Sequence, residues 1–168
     1  MAKSDVSKAE PVTLPLCNGS SLRKAFRRIT QLYGAILEPS GLLHSQHSLL
    51  AHIERTGRPT MSELASDLVL ERSALTHNIR PLERAGLVAL VKDETDQRSR
   101  RVVLTDAGIQ KLAESKALWT VAHERFERLY GVEKAALLRG LLAEIYADEF
   151  ADAFTAESDA APSAGSSA

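Results

Sequence analysis

With 168 residues, 44% of them hydrophobic, the chain is long enough for a well-packed core in one domain or in two closely knit halves. Its net charge of −1 gives no general attraction to nucleic acid, and it shows neither a membrane span nor a secretory signal, because Lys24, Arg27 and Arg28 interrupt the early apolar residues. One cysteine excludes an internal disulfide, so a reducing cytoplasm is the expected setting.

Residues 1–16 show no sustained period and are expected to be a disordered arm, with Leu14-Pro15-Leu16 extended and able to cross to a partner subunit. From Ser20 or Ser21 as N-cap, Leu22, Ala25, Phe26, Ile29, Leu32, Tyr33 and Ile36 recur at helical spacing until Pro39 and Gly41 stop the helix. Arg23, Lys24, Arg27 and Arg28 cover much of its other surface, as a solvated charge run or as a lining that neutralises an acidic ligand. Leu43, Gln46, Leu49, Leu50 and Ile53 make the next helix, which ends at Gly57. Its His44 and His47 are spaced i and i+3, but no cysteine or carboxylate at ligand spacing accompanies them, so no metal is expected.

Thr60 with Glu63 three residues on is a capping box, and Met61, Leu64, Ala65 and Leu68 give the short helix behind it one buried face. After a turn over Val69 to Glu71, which lacks glycine, a second helix starts near Arg72. Leu75, Ile79 and Leu82 form its apolar stripe, and Ser73, Thr76, His77, Arg80 and Arg84 lie opposite. Alone, such a face is only polar surface, yet hydroxyl, imidazole and guanidinium groups on one helix suit phosphates and base edges in a major groove. Pro81 lies inside this helix and is expected to kink it.

Gly86 ends the helix, Leu87 to Val91 read as a strand, and Val102-Val103-Leu104 returns as a second strand. Arg98, Arg100 and Arg101 are thereby expected at or near a hairpin tip, with Asp96 orienting Arg98 through a bidentate ion pair. Between Thr60 and Leu104 seven basic residues face seven acidic ones, so contact with DNA depends on which face is basic. Thr105 then caps a long helix carrying Leu112, Trp119, Ala122, Phe126 and Leu129 up to Gly131, and a last helix follows with Leu138, Leu141, Leu142 and Ile145. One small winged domain cannot cover all of these apolar faces, so a second copy is expected to. From Thr155 the composition predicts a disordered tail.

Four segments occur in order: Met61-Ser62-Glu63-Leu64-Ala65, Leu82-Glu83-Arg84-Ala85-Gly86-Leu87-Val88, Asp96-Gln97-Arg98-Ser99-Arg100 and Leu104-Thr105-Asp106-Ala107-Gly108. With them the chain resembles the MarR family of transcriptional regulators from about Cys17 to Phe154. The expected fold is mainly α with a small β-hairpin wing, a winged helix-turn-helix in a helical obligate homodimer. Residues 17–57 and 105–154 would form the dimerisation region, 58–104 the DNA-binding region, and 155–168 the tail.

The expected partners are double-stranded DNA, a second copy of the chain and a small aromatic acid or phenolic effector, with no cofactor and no membrane. Thr60, Ser73, Thr76, His77, Arg80, Arg84, Arg98 and Arg100 are the candidate DNA contacts. A two-fold dimer reads half-sites roughly 10 base pairs apart. The resemblance implies a repressor released when the effector binds between the dimerisation helices and the winged domain. Asn18, Arg27, Tyr33, His44 and His47 are the candidate effector contacts. The alternative is a thiol-based sensor using Cys17, lowered in pKa by a helix N-terminus and Arg23. An enzyme is not expected, because no nucleophile has a base at a recognisable spacing and no nucleotide-binding or zinc-hydrolase motif occurs.

Overall fold

The computed structural model describes residues 17–96 and 98–159. The expected arm and the part of the expected tail beyond 159 lie outside the described residues. The chain runs through α1 (Asn18–Leu37), a short 3-10 turn (Glu38–Ser40), α2 (His44–Thr56), α3 (Met61–Asp67), α4 (Arg72–Arg84), β1 (Val88–Lys92), β2 (Arg100–Leu104), α5 (Asp106–Tyr130), α6 (Val132–Tyr146) and α7 (Asp148–Asp159). This is a winged helix-turn-helix, α3 and α4 with the antiparallel β1–β2 hairpin, inserted between helices at both ends.

Local chemistry sets most boundaries. Thr60 Oγ1 accepts the Glu63 backbone N–H at 3.1 Å and Glu63 Oε2 accepts that of Thr60 at 2.7 Å, which closes the capping box. Thr105 Oγ1 likewise accepts the Gly108 N–H at 3.0 Å, and its own hydroxyl donates to the Gly86 carbonyl at 2.6 Å, tying the end of α4 to the start of α5. At the α3–α4 turn Val69 takes a left-handed backbone with φ 51°, in the place where a glycine was missing.

Several boundaries differ from the sequence expectation. Helix α1 is capped at Cys17, not at Ser20 or Ser21; the Ser21 N–H and hydroxyl both bond the Cys17 carbonyl. Strand β2 begins at Arg100, pairing with Lys92, so Arg100 and Arg101 stand in the ladder and not at the tip. Pro81 lies inside α4, as expected, and the helix runs on to Arg84. The terminal helical run divides at Ala147, and α7 reaches Asp159, past the boundary expected at 155.

The core joins α2 to the winged half. Leu50, Ile53, Leu64, Leu75, Val102 and Leu112 are all fully buried, so α2, α3, α4, β2 and the N-terminal part of α5 share one apolar centre. Leucine burial of this kind contributes roughly 1.5–3 kcal/mol per side chain. The outer helices are different. Leu22, Phe26 and Leu32 of α1, Leu129 of α5, and Leu137, Leu141 and Ile145 of α6 are exposed, as are Phe150 and Phe154 of α7.

Candidate nucleic-acid interface and an adjoining cleft

Helix α4 separates two chemistries. Leu75, Ile79 and Leu82 face the core at 0–1% exposure, while Ser73, His77, Arg80 and Arg84 are exposed on the opposite side. His77, Arg80, Pro81, Glu83 and Arg84 together line a shallow concavity on that side. Thr76 is half-buried, and its hydroxyl donates to the Arg72 carbonyl at 2.8 Å, which leaves an acceptor oxygen and a methyl group for any partner. Thr60 has its Oγ1 occupied by the capping box, so its first role is to fix the start of α3.

The wing is held by the acid that directly follows β1. Asp93 is 4% exposed and accepts the Thr95 N–H at 2.7 Å, the Thr95 hydroxyl at 2.6 Å and the Asp96 N–H at 2.9 Å. It also pairs with the Arg101 guanidinium, which in turn donates to the Arg58 carbonyl at 2.6 Å and lies 3.9 Å from Glu63. These bonds, from Thr95 first, hold the Asp93 carboxyl far below the usual carboxylate range. Arg101 is therefore a structural anchor of the hairpin.

Arg98 and Arg100 are exposed, and neither makes an ion pair among the described residues. The expected Asp96–Arg98 side-chain pair does not form. Asp96 accepts the Arg98 backbone N–H at 3.0 Å and the Ser99 hydroxyl at 2.8 Å instead, because a turn this tight presents amides to the carboxylate before it presents a long side chain. The Arg98 guanidinium is left to solvent.

Beside α4 lies a cleft of about 450 Å³. Phe26 and Thr30 of α1, His44 and Leu49 of α2, Leu68 and Leu70 of the α3–α4 turn, and His77, Asn78 and Pro81 of α4 are among its walls. Its walls come from α1 and α2 on one side and from the α3–α4 turn and α4 on the other. Two polar atoms buried in its walls, Thr30 Oγ1 and His44 Nδ1, have no hydrogen-bond partner among the described residues. Burial pushes the His44 pKa down and so favours the neutral ring.

Of the five residues expected to hold an effector, His44 alone lines this cleft. Tyr33 is buried beside it, ring centroids 5.2 Å apart. His47 is turned away toward α5: it is 3% exposed, its Nδ1 lies 2.8 Å from Ser115 Oγ, and its ring stacks on Trp119 at 6.1 Å. Trp119 stacks in turn on His123 at 4.6 Å. Asn18 and Arg27 are exposed on α1, outside the cleft, and Cys17 is exposed at the cap of that helix. Sequence reading missed Phe26, Thr30 and Asn78 as cleft residues, although Phe26 and Thr30 stand i and i+4 on one helical face.

Comparison with known proteins agrees with this geometry. Residues 42–99 match the MarR family. The HTH-type transcriptional regulator FarR of Neisseria gonorrhoeae is 30% identical over 110 residues, which cover 66% of this chain and 75% of that protein. The M. tuberculosis transcriptional regulator MosR, solved in complex with DNA, superposes with a TM-score of 0.65 at 34% identity over 76% of this chain and 96% of its own. NadR, solved in complex with 4-hydroxyphenylacetate, superposes with a TM-score of 0.67 at 25% identity over 82% of this chain and 98% of its own. The order of elements, the two-faced α4, the anchored wing and these matches lead to one conclusion: this chain belongs to the MarR family of DNA-binding transcriptional regulators.

Proposed function

We propose that the protein is a homodimeric repressor that occupies a pseudo-palindromic operator and leaves it when a small aromatic acid or phenolic effector enters the cleft beside α4. His77 carries the reading, since it belongs both to the exposed polar face of α4 and to the cleft wall. A ligand seated there touches the helix that meets the groove, with no intervening element. Ser73, Thr76, His77, Arg80 and Arg84 are the proposed major-groove contacts, and Arg98 and Arg100 the phosphate or minor-groove contacts. The DNA-bound state of MosR and the bound 4-hydroxyphenylacetate of NadR support the two halves of the proposal.

A second copy of the chain is the proposed cover for the apolar faces of α1, α5 and α6, because contiguous exposed patches of this kind mark interfaces. Release of DNA then requires the effector to favour a spacing of the two winged halves unsuited to the operator, since a ligand shifts an equilibrium only by its differential affinity. The test pairs sedimentation with a mobility shift on the DNA upstream of the protein's own gene. A dimer should bind that DNA, and aromatic acids or phenols should release it; His77→Ala should weaken both binding and response. A chain monomeric at micromolar concentration, or one that ignores this DNA, defeats the reading. Release by peroxide that is lost in Cys17→Ser would replace the aromatic effector with thiol sensing.

A further inference from the structure

Two helices at opposite ends of the chain carry opposite charge. Helix α1 holds Arg23, Lys24, Arg27 and Arg28 and no acid, whereas α7 holds Asp148, Glu149, Asp152 and Glu157 and no base. Among the described residues none of these side chains enters an ion pair. Each helix also has an apolar stripe between its charges. At about 100° per residue, Leu22, Ala25 and Phe26 share one face of α1, with Arg23 on one side of it and Arg28 on the other. Phe150, Ala151 and Phe154 share one face of α7, bordered in the same way by Asp148 and Glu157. Both stripes are exposed, Phe26 by 67% and Phe154 by 70%.

Helix α7 has 12 residues, and from Asp148 to Glu157 every one is exposed. A helix shorter than about 12–15 residues is marginal in water on its own, because its nucleus is costly and its persistence depends on packing an apolar face. Phe150 and Phe154 stack on each other at 6.2 Å and still face solvent. A second copy's α1 fits α7 in both respects: stripe meets stripe, and the bordering arginines meet the bordering carboxylates, which gives an apolar centre with a rim of opposite charges. Two-fold symmetry makes this contact twice, α7 of each copy on α1 of the other. It also continues the exposed face of α6, where Leu137, Leu141 and Ile145 lead toward α7.

We infer that α7 of one copy docks along α1 of a second copy, Phe150 and Phe154 against Leu22, Ala25 and Phe26, and that the charges bordering the two stripes select which chains pair. This rests on the homodimer reading and adds to it a further helix and a rule of partner choice. The seam rejects a related chain whose α1 is not basic or whose α7 is not acidic, since like charges then face each other.

The experiment uses full-length chains with reversed charges. One chain carries Arg23→Glu and Arg28→Glu, the other Asp148→Lys and Glu157→Lys. Alone, each sets like charges against each other across the seam, and in sedimentation at low salt its dimer should dissociate about tenfold more readily than the parent's. Refolded together, the two chains should form heterodimer in excess of random pairing, resolved by native mass spectrometry, because both seams then join opposite charges. The same two chains are compared in mismatched and matched pairings, so a loss of folding cannot mimic this result. The excess should shrink in about 1 M salt, where the screening length falls to about 3 Å. A chain bearing all four substitutions should dimerise like the parent. Rescue in that chain with no excess of heterodimer in the mixture would place α7 on α1 of its own copy and overturn the inference, and random pairing of the mixture overturns it in any case. A parent chain that stays monomeric at micromolar concentration defeats the homodimer reading itself.

Discussion

A Cβ built on Gly108 would lie 1.9 Å from the carbonyl oxygen of Leu87, so the first turn of α5 is pressed directly against the backbone that leaves α4. The same carbonyl accepts the Thr105 N–H at 3.1 Å. No side chain fits at position 108 unless one of the two segments moves. Gly108→Ala is expected to destabilise the protein by about 3 kcal/mol, the upper range for overpacking, read as a lowered urea midpoint. It should also lower operator affinity beyond the loss of folded protein, because the end of α4 is displaced. A midpoint unchanged from the parent would show that the contact is readily relaxed.

Val69 is 67% exposed and holds φ at 51°, so it contributes little packing and carries backbone strain. A branched Cβ in the left-handed region costs on the order of 1–2 kcal/mol. Val69→Asn should therefore raise the urea midpoint, by about 1 kcal/mol of stability. Val69→Gly should gain less, since glycine also frees the unfolded chain. A loss of stability in both variants would mean that the valine side chain packs after all.

The arginines of the hairpin should separate by role. Arg98→Ala leaves the Asp93 anchor intact and should lower the slope of log affinity against log salt by about one contact. Arg101→Ala should speed amide exchange throughout 92–101, because it strips the buried Asp93 of its guanidinium partner and the Arg58 carbonyl of its donor. Normal DNA binding by Arg98→Ala at two salt concentrations would remove the wing from the DNA interface.

Burial lowers the pKa of both His44 and His47, and Lys116 with His44 adds to the effect at His47. The folded state thus binds fewer protons than the unfolded chain below the ordinary value of 6.5. By linkage, this stability is fully present above pH 6.5 and is lost as the pH falls from there toward the lowered folded values. The urea midpoint should drop between neutral and mildly acidic pH. His47→Gln should start lower, having lost its partner in Ser115, yet fall less steeply. Parallel curves for the two proteins would exclude His47 from the effect.

How much of this could be read beforehand depended on distance along the chain. The caps at Thr60 and Thr105 bond amides three residues away, and the stripe Leu75, Ile79, Leu82 is a helical period, so both were legible in sequence. The start of β2 was not, because the hairpin register follows from the amides gathered by Asp93 and not from apolar alternation. Nor was the break at Ala147, which neither glycine nor proline marks. The histidines of α2 show the limit most directly. His44 and His47 stand about 60° apart around the helix, yet one faces the cleft and the other bonds Ser115, 68 residues on. Only tertiary packing divides neighbours on one helical face in this way.

Trp119 is the chain's only tryptophan, and its indole stacks with both His47 of α2 and His123 of its own helix. Contact with an imidazolium quenches an excited indole, whereas a neutral imidazole quenches it far less. Emission excited beyond the tyrosine absorption band therefore comes from one junction, where α2, which faces the cleft on its other side, meets α5. A single indole beside the buried His47 lets that junction be followed by fluorescence alone, with no label added.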